Sequence, residues 1–190
     1  MHSTTTKRSL VAAAGLALTA AIAGLAGSAP AVAATGTFAD ARGDVAHGVD
    51  LESVKVVNEK NIRVVVQHAD LVRSFRSGAS MTVYLDTDRS EAGPEFGFAG
   101  VLFEGGDYGL LRTVGDGWKL QDRAVPLTCS YRLRLDYAAD VTRIRIARGC
   151  LDDPGAVRVA VRAGGEQADG DIVRDWLDAP RALTPWVARG

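Results

Sequence analysis

Tyr131-Arg-Leu-Arg-Leu-Asp-Tyr137, followed after Ala138-Ala-Asp140 by Val141-Thr-Arg-Ile-Arg-Ile146, decides the fold of this 190-residue chain. In an extended strand Tyr131, Leu133, Leu135 and Tyr137 fall on one face, and Arg132, Arg134 and Asp136 on the other. The returning segment repeats the scheme, setting Ile144 and Ile146 against Arg143 and Arg145. A period of two with one apolar face marks antiparallel strands that cover a core on one side only.

The same pattern extends outward. Leu51–Val57 turns at Asn58-Glu-Lys-Asn61 and returns as Ile62–His68, a hairpin. Met81–Leu85, Phe96–Glu104, Tyr108–Val114, Trp118–Leu120 and Val157–Ala163 read as further strands. Gly164-Gly165 through Gly170 reads as a flexible loop, and the tail from Asp171 as a strand or packed coil. Asp70–Arg76 has room for one helical turn, but no longer helix-period stretch follows the N-terminal segment. The prediction is an all-β chain: one antiparallel β-sandwich, jelly-roll-like.

The N-terminus reads as an export signal. Lys7 and Arg8 precede an apolar run from Leu10 to Gly27, and Ala31-Val32-Ala33 offers a small-x-small cleavage site before Ala34. The expected organisation is a signal peptide over 1–33 and one domain over 34–190, exported and without a membrane anchor. Removing Lys7 and Arg8 leaves 20 basic against 23 acidic side chains, a formal charge of −3. That balance gives no general pull toward nucleic acid or anionic membranes. Cys129 and Cys150, in an oxidising compartment, are expected to pair.

Acidic side chains carry the functional signal. Asp86-Thr-Asp88-Arg-Ser90, then Gly93-Pro-Glu95, places oxygen ligands at alternate positions after a strand. Calcium takes six to eight oxygens on a bent backbone, so Asp86, Asp88, Ser90 and Glu95 are candidate ligands. A turn whose Asp and Ser cap their own amides is the other reading. Glycine at 97 stands where an EF-hand would need glutamate, so this loop is not one. A second cluster, Asp40, Asp44 and Asp50, sits around Gly43 and Gly48 and could hold a cation or form a polar turn.

Arg132, Arg134, Arg143 and Arg145, with Arg158 and Arg162, alternate outward. On neighbouring strands they would form a stripe whose guanidinium forks suit sulfate, phosphate or carboxylate; otherwise they are a solvated face. Trp118, Trp176 and Trp186 could stack on sugar rings or serve the core; Trp118, beside a Gly-Asp-Gly turn, is the better surface platform, and Trp186 reads as a plug closing the sandwich. The chain carries no Gly-x-Ser-x-Gly elbow, no His-Glu-x-x-His and no phosphate-binding glycine loop. The residues therefore lean toward a binding module and away from an enzyme.

Three pieces together resemble secreted bacterial β-sandwich domains related to family nine carbohydrate-binding modules and DOMON-like domains. They are Asp40-x-x-Gly43-Asp44 before Val49-Asp50-Leu51, Val83-Tyr-Leu-Asp86-Thr-Asp88 to Gly93-Pro-Glu95, and Asp178-Ala-Pro180 leading to Trp186-Val187. The resemblance implies calcium held by such acidic loops, and a glycan or cell-envelope polymer as partner. The rival readings are a protein-interaction or inhibitor module using the arginine face, and a hydrolase.

Overall fold

The computed structural model describes residues 34–121 and 125–190. The expected signal peptide at 1–33 lies outside the described residues. Twelve strands form in chain order: β1 Thr35–Ala39, β2 Leu51–Asn58, β3 Asn61–His68, β4 Ser80–Asp86, β5 Phe96–Val101, β6 Tyr108–Val114, β7 Lys119–Leu120, β8 Tyr131–Asp136, β9 Val141–Ala147, β10 Ala156–Glu166, β11 Ile172–Trp176 and β12 Val187–Ala188. Only single 3-10 turns at Phe75–Ser77 and Arg148–Leu151 interrupt them among the described residues.

The strands make two antiparallel sheets, one ordered β1-β2-β3-β9-β8 and the other β11-β10-β4-β5-β6-β7, with β12 attached to β10. This is the β-sandwich expected from alternation. Inward residues meet between the sheets: Val54, Val56, Val64, Val66, Ile144 and Ile146 from one side, and Val83, Leu85, Phe96, Phe98, Leu110 and Val161 from the other. Each is sealed from water, and burying side chains of this size contributes about 1.5–3 kcal/mol apiece.

Two boundaries differ from expectation. Strand β5 stops at Val101, short of Glu104. Strand β10 runs through Gly164 and Gly165, which pair with Arg174 and Val173 of β11 and do not form a loop. The reason at Gly165 is a close approach: a Cβ there would lie 2.3 Å from Cε1 of His47. Only glycine lets that ring lie on the strand.

Cys129 and Cys150 are bonded, their Cα atoms 5.8 Å apart, so the β8–β9 hairpin is closed into a covalent loop. Such a loop stabilises by roughly 3 kcal/mol through the unfolded chain. Buried Arg148, on the turn after β9, donates to the Asn58 side chain and to the carbonyls of Glu59 and Pro154. Those bonds tie the β2–β3 turn to the end of the neighbouring strand β9 and to the segment leading into β10.

Candidate functional site

The loop from Asp40 to Asp50 folds around one carboxylate. Asp50 is buried, and its two oxygens accept from the amides of Gly43, at 2.8 Å, and Val45, at 3.1 Å. Gly43 takes a left-handed turn (φ 75°) that brings its N–H inward. His68 fastens the loop from beneath, its Nδ1 3.1 Å from the Val49 carbonyl and its Nε2 3.1 Å from Thr142 Oγ1. Burial pulls the His68 pKa down to about 4, so the ring is neutral at pH 7.

Onto this loop β11 projects Asp175, a buried carboxylate that accepts from the Leu51 amide at 2.6 Å. One oxygen from each of Asp44, Asp50 and Asp175 lies within 4.8 Å of the others. Asp40 completes the surroundings. Its Oδ1 accepts from the Asp178 amide at 2.9 Å, while its Oδ2 is buried with no hydrogen-bond partner. Gathered anions raise one another's proton affinity. Burial, then the charges of Asp40, Asp44 and Asp50, push Asp175 up to about 6. Asp44 is raised first by its hydrogen bond to Asp50, then by desolvation and neighbouring charge. Three converging carboxylates with an unsatisfied fourth oxygen nearby are hard donors, and none of the three is ion-paired among the described residues, an arrangement that can hold a metal ion.

The Asp86 loop is built differently. Asp86 is fully buried, and its Oδ2 receives Arg158 through Nε at 2.7 Å and Nη2 at 2.6 Å. Burial still raises its pKa against the pull of that guanidinium. Glu95 Oε2 accepts from the Thr87 amide and hydroxyl at 2.6 and 2.8 Å. Asp88, exposed, closes on Ser90, whose amide and hydroxyl both donate to Asp88 Oδ1. Those two bonds lower the Asp88 pKa. The four oxygens proposed from sequence are thus divided: Asp86 and Glu95 turn inward, and Asp88 and Ser90 form their own surface turn.

A third feature lies on the outer face of the β11–β7 sheet. Cross-strand register sets Trp176, Arg162, Thr82, Ala99 and Gly109 in one row over five strands. Thr82, Ala99 and Gly109 are small, so the face is scooped out there. One hollow of about 300 Å³ is bounded by Arg162, Ile172 and Arg174. Another of about 420 Å³ is bounded by Tyr108, Leu111 and Pro126. They meet over Ser80 and Thr82 as one trench. Next to it Tyr84 stacks on Trp176, centroids 6.0 Å apart, and Trp118 leans on both at 5.2 and 6.2 Å.

No family model matches this chain, nor does any curated protein. The geometry therefore carries the functional argument alone.

The structure regroups the remaining candidates. Arg132, Arg134, Arg143 and Arg145 share the outer face of the five-stranded sheet, whereas Arg158 and Arg162 belong to the other sheet. Trp118 is no isolated platform: it is half-buried against Tyr84 and Trp176. Trp186 is half-buried under the guanidiniums of Arg89 and Arg158. Sequence reading missed Asp175, and set Trp176 behind Trp118 as a platform. The signal that could have found Asp175 is a carboxylate two residues before Leu177 and two after Val173, at an inward position of a short strand.

Proposed function

We propose that this protein is an exported, non-catalytic binding module that recognises carbohydrate or cell-envelope material and is stabilised by calcium. The observation that carries the reading is the trench: a small-residue floor crossing five strands, polar toward Arg162 and Arg174 and apolar toward Tyr108 and Pro126, with Trp176 on its bank. An extended chain of sugar rings can lie along such a floor. Hydroxyls of Ser80 and Thr82 and the guanidiniums offer hydrogen bonds, and the half-exposed indole offers an apolar face.

Calcium fits Asp44, Asp50 and Asp175, with Asp40 alongside, because the donors are all carboxylate oxygens and no histidine or thiolate joins them. Its role would be structural. It would tie the β1–β2 loop to β11, the strand that carries Trp176. The disulfide and the signal-like residues 1–33 support export.

The test is affinity electrophoresis against a panel of soluble polysaccharides, with tryptophan emission followed in parallel. Retention by at least one polysaccharide is expected, with affinity falling about tenfold or more in Trp176→Ala, a loss of about 1.4 kcal/mol. Absence of retention across the panel, or retention that Trp176→Ala leaves intact, rejects the trench as the site.

A further inference from the structure

The outer face of the five-stranded sheet, opposite the trench, carries two rows of cations. Register places Arg63, Arg145 and Arg132 directly across from one another on β3, β9 and β8. The next row runs Lys55, Val65, Arg143 and Arg134 across β2, β3, β9 and β8. Opposed residues stand about 5 Å apart at Cβ, and like charges at that spacing destabilise a sheet. Two of the cations are compensated: Arg63 by Glu59 at 2.8 Å and Arg143 by Asp136 at 3.2 Å. Arg132, Arg134 and Arg145 are exposed and have no ion pair or hydrogen bond among the described residues.

The face has shape as well as charge. Five arginines and the side chain of Val65 surround a hollow of about 350 Å³. Arg134 and Arg143 also line a cleft of about 620 Å³ that continues around the edge strand β8 toward Tyr108, Tyr137 and Arg73. Glu104 and Asp136 line that cleft too and pair with Arg73 and Arg143, so the uncompensated charge stays on the sheet face.

We propose that this face docks a linear, base-free phosphodiester polymer. A run of repelling guanidiniums is relieved most by an anion that accepts from two forks together. The non-bridging oxygens of a phosphodiester point in different directions and can do so, whereas a planar carboxylate matches a single fork. A polymer fits the extended row better than a single ion, because successive charges meet successive arginines. Nucleic acid fits poorly: the hollow over the sheet presents Val65 between its arginines and no aromatic ring on which bases would stack.

The experiment titrates the protein with poly(glycerol phosphate), polygalacturonate and single-stranded DNA, each across a salt series. Poly(glycerol phosphate) should bind at low salt, with log K falling against log salt with a slope of about −2. Three disengaged arginines at roughly 0.7 counterions per phosphate set that value. Arg132→Gln combined with Arg145→Gln should weaken binding about tenfold or more with an unlowered thermal midpoint, since repulsion is removed. Arg134→Gln, on the edge strand, should weaken it in the same direction and serves if the double variant folds poorly. Trp176→Ala should leave this binding unchanged, which separates it from the trench. No binding at low salt, or arginine variants that bind like the parent, overturns the proposal. So does equal affinity for polygalacturonate or DNA.

Discussion

The β1–β2 loop and the β4–β5 loop begin with almost the same chemistry, three or four acids spaced by glycine, and end as opposite electrostatic objects. In the first, Asp44 and Asp50 meet a further carboxylate, Asp175, and none of them is ion-paired among the described residues. In the second, the buried acid Asp86 meets Arg158, and the exposed Asp88 is consumed by Ser90 two residues on. The difference comes from which distant strand arrives: β11 delivers an anion and β10 a guanidinium. An acidic loop is thus a metal-site candidate or a salt bridge according to its non-local neighbour, and local spacing does not distinguish them.

Breaking Asp86 should produce the largest effect. Asp86→Ala removes the partner of a partly enclosed arginine from a fully buried position, so a loss of about 3 kcal/mol is expected in urea unfolding. That loss should be the same with and without calcium. If Asp86→Ala instead abolishes a calcium response, the comparison between the loops is reversed.

The acidic cluster predicts a calcium-dependent gain, about 2.7 kcal/mol at a hundredfold excess over Kd. Asp175→Asn should erase it. Acid sharpens the point because two buried groups pull in opposite directions. His68 has a folded pKa of about 4, below its usual 6.5, so the unfolded chain takes up that proton first. Stability from this group is lost as pH falls from 6.5 to 4. Asp175 has a folded pKa of about 6, above its usual 3.8, so the folded chain protonates first and metal-free stability rises over 6 to 3.8. Without metal the two slopes offset each other. Calcium holds Asp175 ionised, so the loaded protein should show the steeper acid loss, and its advantage over the metal-free protein should vanish as pH falls through 6. Thermal melts at several pH values, with calcium and with chelator, check this; parallel profiles would remove the metal from the Asp175 cluster.

The smallest change belongs to the surface turn. Asp88→Ala cuts two bonds to Ser90 in water and should move the urea midpoint least of these variants, with the calcium response intact.

Much of the fold was legible locally. The Tyr131–Ile146 stretch alternates so regularly that β8 and β9 follow from side-chain period alone, and the hairpin of β2 and β3 matches its sequence bounds closely. Gly164-Gly165 misled because glycine ordinarily breaks strands, and only the ring of His47 lying on that backbone explains it. In the candidate site, Asp44 and Asp50 could be read from their loop. Asp175 could not, because its partner Leu51 lies 124 residues away along the chain.

Sequence by itself settled strand content, the sandwich and the cysteine pairing, since alternation, turn residues and a lone pair of cysteines act within one strand or one hairpin. Tertiary structure alone decided which carboxylates share a site, which arginines stand together, and that Trp118 leans on Tyr84 and Trp176. Those outcomes depend on which strands become neighbours, and electrostatics and stacking act across that boundary over a few ångströms, whatever the separation along the chain.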